Sequence, residues 1–113
     1  MGVIKKEYTC SLILTNDLIG GKWKQRILWH IIKGDNRFSL LQKGIPDITH
    51  KVLITQLREL ESSGMIIRKD MSNTRPHVEY AISSEYCSIV PILEALSNLT
   101  KHYAGKNQIK IPD

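Results

Sequence analysis

The sequence predicts a mainly α fold carrying one small β-hairpin, on three observations. Apolar residues recur at three- and four-residue spacings in segments separated by Gly, Pro, Asp and Asn. Two segments after the midpoint, Met65–Asp70 and His77–Ser83, break that rhythm, and the second alternates Val78, Tyr80 and Ile82. Finally, 113 residues suit one domain with one modest core. A hairpin this short cannot bury both of its faces, so it has to lie against helices.

The elements follow in chain order. A short first helix is expected from Ser11 to Asn16, with Gly20-Gly21 breaking the chain after it. From Lys22 to Lys33, Trp23, Ile27 and Ile31 recur every four residues with Leu28 and Ile32 beside them, an amphipathic helix that needs a core. Gly34-Asp35-Asn36 ends it. A third helix is expected from Arg37 or Phe38 to Lys43, with Phe38 and Leu41 facing inward, before Gly44, Pro46 and Asp47 force a turn. The fourth helix has the clearest signals. Thr49 can cap it, and Val52, Leu53, Gln56, Leu57 and Leu60 keep helical rhythm until Ser62-Ser63-Gly64. Its other face carries His50, Lys51, Thr55, Arg58 and Ser62, side chains able to reach phosphates or base edges. Taken alone, that face is more often the ordinary solvated side of a helix.

The following hairpin decides between those two uses. Met71–Pro76 is a polar connection rich in turn residues, flanked by Arg68 and Lys69. Three helices leading into a basic-flanked hairpin describe a winged helix-turn-helix. Its wing would bring Arg75, supported by Lys69, to the nucleic-acid backbone. A last helix is expected over residues 84–104, with a stripe of Ile89, Leu93, Leu96 and either Leu99 or Tyr103, widened by Val90 and Ile92. Pro91 should bend or restart it. That apolar face arrives after the domain is complete, which favours pairing with its twin over packing on its own chain alone. Residues 1–113 therefore read as a single winged helix-turn-helix domain with 84–104 as its C-terminal dimerisation helix, and 105–113 as a loose end.

Charge agrees with a polyanionic partner. Sixteen Lys and Arg against eleven Asp and Glu leave a net +5, and the excess lies in the first two thirds of the chain. Basic surfaces bind phosphates through counterion release, so double-stranded DNA is the expected partner. No apolar run reaches the length of a membrane span, and the first ten residues lack the apolar centre of a secretory signal. A cytoplasmic protein is expected. Cys10 and Cys87 are far apart, and His30, His50, His77 and His102 are scattered, so neither a metal nor a cofactor is expected. An enzyme is disfavoured: there is no Gly-rich phosphate loop, no HExxH, no close nucleophile–base pair, and little expected room for a substrate pocket. The alternative to a DNA-binding regulator is a winged-helix protein-interaction module without specific DNA binding.

The ordered series LIGGKWKQRILWHI (18–31), RFSLLQKGIPDITHKVLITQLRELESSGMIIR (37–68) and HVEYAISS (77–84) resembles the HxlR family, a branch related to the MarR-type winged-helix regulators. The likeness runs over residues 10–104. It implies a dimeric bacterial transcription factor, with the recognition helix at Thr49–Ser62, the wing near Met71–His77, and terminal helices forming the dimer. It also implies that Cys10 is a possible sensor of oxidants or electrophiles, which requires an accessible thiolate; an inert interface cysteine is the equal alternative. An oxidant or small-molecule effector fits the family. Repression is favoured over activation, because a small domain bound over a promoter blocks access without further surfaces. Three departures stand out. Asp47 replaces a usual glycine, and since Asp can cap, the turn is expected to survive; the wing keeps only Pro76 of a common doubled proline, and Cys87 replaces a common glycine. Cys87 is expected as a buried helix residue.

Overall fold

A computed structural model describes residues 4–72 and 75–112. Five helices and one hairpin follow in order: α1 (Ser11–Ile19), α2 (Lys24–Ile32), α3 (Phe38–Gly44), α4 (His50–Ser62), β1 (Ile66–Met71), β2 (His77–Ile82) and α5 (Ile89–Lys106), with one 3-10 turn at Ser84–Tyr86. This is the winged helix-turn-helix that the pattern predicts. α1 runs three residues further than expected and stops at Gly20, whose N–H donates to the Asn16 carbonyl at 2.8 Å. A Cβ at Gly20 would stand 2.5 Å from that oxygen, so the close approach requires glycine. α4 ends at Gly64 with φ of 86°, the left-handed conformation that helix C-termini favour.

The core is built from the expected faces. Ile27, Leu28 and Ile31 of α2, Leu41 of α3, Leu53, Leu57 and Leu60 of α4, Ile66 of β1, and Ile89 and Leu93 of α5 are all buried. Trp23, Phe38, Val52, Tyr80 and Ile82 pack on it while staying partly exposed. Ile45 and Ile48 join the core as well, although they sit in the Pro46–Asp47 turn that the sequence marks as polar. The turn is short, and its two isoleucines plug the floor between α3 and α4.

β1 and β2 pair antiparallel, with Ile66 opposite Ile82, Arg68 opposite Tyr80, Asp70 opposite Val78, and Lys69 opposite Glu79. Because successive side chains alternate sides, the Ile66, Arg68, Tyr80 and Ile82 side chains share the inner face. Lys69, Met71, His77 and Glu79 share the outer one. The Tyr80 N–H donates to the Asn36 carbonyl at 2.8 Å and hooks the hairpin to the α2–α3 loop.

The C-terminal region departs from expectation in three ways. The helix expected over 84–104 is a 3-10 turn followed by α5 from Ile89 to Lys106. Pro91 thus falls in the first turn of α5, where an N–H would have no intrahelical partner; the helix restarts there. Cys87 is not a buried helix residue: it lies exposed between the 3-10 turn and α5. Nor are residues 107–112 a loose end. The Ile109 N–H donates to the Ala104 carbonyl at 2.8 Å. Ile111 and Pro112 then come back beside Trp29, Leu93 and Leu96 to line a mainly apolar cavity of about 340 Å³. That volume corrects the expectation of little room for a small molecule. Asn73, Thr74 and Asp113, which the expected wing and tail include, lie outside the described residues.

Candidate nucleic-acid interface

The α3–turn–α4 unit fixes what α4 presents. Thr49 caps α4 by accepting a hydrogen bond from the Val52 N–H at 3.2 Å, a contact that contributes about 1 kcal/mol. Asp47 stands in place of glycine with the turn intact, as expected. Its carboxylate makes a two-pronged ion pair with the Arg26 guanidinium at 2.9 and 3.0 Å, tying α2 to the turn before α4. The pair holds the Asp47 carboxyl below the ordinary carboxylate range and raises Arg26, the hydrogen bond being the main cause in both. A second tie lies further along. Lys24, only 6% exposed, places its Nζ 2.7 Å from Glu59 of α4 and 3.4 Å from the Asp17 carbonyl of α1. Two positions on α2 thus hold α4 itself and the turn that leads into it. Sequence reasoning missed both ties; the one signal was a lysine on the apolar side of an amphipathic helix, and its partner, like that of Arg26, lies far along the chain.

With 3.6 residues per turn, Lys51, Thr55, Arg58 and Ser62 stand on the side of α4 opposite Leu53, Leu57 and Leu60, and all four are exposed. The Thr55 hydroxyl donates to the Lys51 carbonyl at 3.0 Å, leaving its oxygen and methyl outward. His50 and Gln56 fall on the shoulders. The His50 ring meets Phe38 edge-on at 4.7 Å between centroids, and Gln56 is half-buried. Of the residues expected in the hairpin, Lys69 is exposed on the outer face, across from Glu79. Arg75 is exposed at the start of the return strand. Its carbonyl accepts from His77 Nδ1 at 2.9 Å, while His77 Nε2 donates to Glu79 at 2.9 Å. Both ring nitrogens face acceptors, so the imidazolium satisfies the site; the Arg75 and Glu79 hydrogen bonds raise the His77 pKa above its ordinary value. The structure therefore brings Lys51, Thr55 and Arg58 together and leaves Lys69 on a different face. It also brings in Arg68, which shares with Arg58, Glu61, Phe38 and Tyr80 a cleft of about 380 Å³ between α4 and the hairpin.

The fold and this outward helix have counterparts. Residues 18–108 match the HxlR-like helix-turn-helix family. The chain belongs to that family. An uncharacterized HTH-type transcriptional regulator of Bacillus subtilis (strain 168), YkvN, is 41% identical over 99 residues, spanning 88% of this chain and 84% of its own. Among solved structures, a putative HTH-type transcriptional regulator, ytcD, is 38% identical with a TM-score of 0.77, covering 86% of this chain and 99% of that one. The redox regulator HypR in its oxidized form is 34% identical with a TM-score of 0.75, covering 82% and 96%. The HxlR-like core thus includes α2 to α5 and the hairpin, but not Cys10 or α1 as far as Asp17.

Two exposed features sit outside the DNA face. Cys10 is exposed at the N-cap position of α1 and makes no capping hydrogen bond with its side chain. The arm before it is pinned: the Tyr8 hydroxyl donates to Asp17 at 2.6 Å and accepts from the Lys5 N–H at 2.8 Å. The Asp17 carboxylate raises the Tyr8 pKa. Apolar side chains also crowd the surfaces of the terminal helices, with Leu12, Ile13, Ile92, Leu96, Leu99 and Tyr103 all exposed. Among the described residues no cluster of His, Cys, Asp and Glu could hold a metal ion, and no helix is long and apolar enough to cross a membrane.

Proposed function

We propose that the protein is a sequence-specific, DNA-binding transcriptional regulator of the cytoplasm, acting as a homodimeric repressor whose binding responds to thiol chemistry. One observation carries the reading. A capped helix, held by two ion pairs, turns Lys51, Thr55 and Arg58 outward on one exposed face. Such a helix can enter a major groove, with Thr55 reading base edges and Lys51 and Arg58 meeting phosphate. Thr49, His50 and Gln56 support its edges, and Arg75 meets the flanking backbone from the hairpin, with Lys69 adding only the positive field of the outer face.

Dimerisation would pair the exposed apolar sides of α1 and α5, and would set two copies of α4 about 34 Å apart, one turn of the duplex. A dimer seated on a promoter excludes other proteins. The redox element rests on the exposed Cys10 thiol beside α1 and on the similarity to HypR. A peroxide converts that thiol to a sulfenic acid and is reduced to water, and an electrophile adds to sulfur with loss of the thiol proton. Either adduct at the edge of the dimer contact would rotate the two α4 helices against a fixed half-site spacing and weaken binding.

The test is a gel shift on the DNA upstream of the protein's own gene, with and without mild oxidant. Specific binding by the wild type, lost in Arg58→Ala and lost on oxidation except in Cys10→Ser, is the expected result. Oxidant sensitivity unchanged in Cys10→Ser removes the sensor. Equal, weak binding to every duplex favours the protein-interaction module instead.

A further inference from the structure

We infer that the cleft between α4 and the hairpin holds the sugar-phosphate backbone that separates two grooves of the duplex, with Arg58 and Arg68 on its two walls. This rests on the DNA-binding reading above and adds Arg68 to it. If α4 occupies a major groove and the hairpin reaches the flanking minor groove, one backbone strand has to pass between them. The space between them is the 380 Å³ cleft, and both of its walls carry an arginine. Arg58 comes from the helix wall and Arg68 from the strand wall. Phe38 and Tyr80 also line it, and their rings offer apolar surface to the sugar.

Strand parity supports the assignment. Arg68 is opposite Tyr80, on the face turned toward α4, while Lys69 is opposite Glu79, on the face turned away. Adjacent cations of equal charge therefore serve different sides of the hairpin. Asp70 sits 3.3 Å from the Arg68 guanidinium and holds it on the inner face. Glu61 lines the cleft and Asp70 pairs with Arg68 from its exposed edge, so a phosphate entering between the two arginines takes the place of the solvent-exposed Asp70 carboxylate on Arg68. A guanidinium on either side of a phosphodiester can donate to its two unesterified oxygens, a geometry for which arginine's planar fork is suited.

The two neighbours give the test its control. Arg68→Gln and Lys69→Gln remove the same charge one residue apart, so a long-range field change affects both alike. Affinity for a duplex without an operator is measured against salt concentration for wild type, both variants and Arg68→Lys, after circular dichroism shows each folded. The expected result is a log–log slope reduced by about 0.9 in Arg68→Gln, one phosphate contact, largely kept in Arg68→Lys, and reduced by less than half as much in Lys69→Gln. Equal slopes for the two glutamine variants, or no change in Arg68→Gln, overturn the inference while the gel shift on the operator still stands. Loss of sequence preference with the slope pattern intact overturns specific recognition and leaves the backbone clamp. Absence of any duplex binding overturns both.

Discussion

α4 and α5 carry apolar stripes of the same kind, yet they spend them differently. Leu53, Leu57 and Leu60 of α4 are between 0 and 2% exposed. On α5, Ile89 and Leu93 are 7 and 5% exposed, but Leu96, Leu99 and Tyr103 rise to 42, 64 and 61%. The first helix is closed within one chain; the second is closed for its first two turns and open thereafter. Periodicity reports that a helix has an apolar face and is silent about which surface covers it. In the proposed function a second copy covers the open half of α5, and the polar side of α4 is the side offered to DNA.

The largest effect tests whether α4 is held from inside. Lys24→Ala leaves Glu59 without its cation in a buried position, and we expect a loss of about 3–5 kcal/mol in unfolding free energy, measured by urea denaturation. Replacing Lys24 and Glu59 together by Met and Leu should recover most of that loss. If the single change costs no more than a surface substitution, α4 is not gripped by α2 as described.

The next comparison sets one stripe directly against the other. Leu53→Ala opens a cavity in the core and should cost about 2–5 kcal/mol. Leu99→Ala, measured at a concentration where single chains prevail, should stay within about 0.5 kcal/mol of the parent. Equal costs would mean that the exposed half of α5 is covered by its own chain. Thr49→Ala should lie between, losing about 1 kcal/mol with the cap. Thr49→Ser, which keeps the hydroxyl, should lose less.

The smallest effect falls outside both helices. His77 has a folded-state pKa raised by the Arg75 carbonyl and by Glu79, and the positive Arg37 opposes that shift. Its contribution to the hairpin is therefore fully present below the unfolded value near 6.5 and disappears as pH climbs through the raised folded value. Amide exchange at Met71 and His77, corrected for intrinsic rates, should show weaker protection above that range. In His77→Gln the pH dependence should vanish, while α4 and α5 show none in either protein.

Much of this architecture was legible in the sequence, for local reasons. Thr49 as cap, Gly64 as stop, and the three-four rhythm of Leu53, Leu57 and Leu60 are signals contained within one helix. Strand alternation at Val78, Tyr80 and Ile82 is likewise local. The contacts that were not legible cross the chain: Lys24 with Glu59, Arg26 with Asp47, and Ile45 and Ile48 turned into the core from a polar turn. The interface set was half legible. The outward placing of Lys51, Thr55 and Arg58 follows from helical periodicity, whereas His50 and Gln56 are also polar but fall on the shoulders. Arg68 and Lys69 lie on opposite faces of β1, and that parity was available in the sequence. Ile66 is the first buried residue of that strand, so Arg68, two positions on, had to share its face. Cys87 was misplaced because a helix was expected to begin at Ser84, and Pro91 moved that start to Ile89.

The central claim is that α5 completes itself on a second copy so that two outward α4 helices act together. Sedimentation equilibrium of the wild type and of Leu99→Glu tests it most directly. Twice the mass of one chain for the wild type, and the mass of one chain for a Leu99→Glu protein with an unchanged helical spectrum, is the predicted result. A wild type that sediments as one chain, or a variant that stays dimeric, would contradict it.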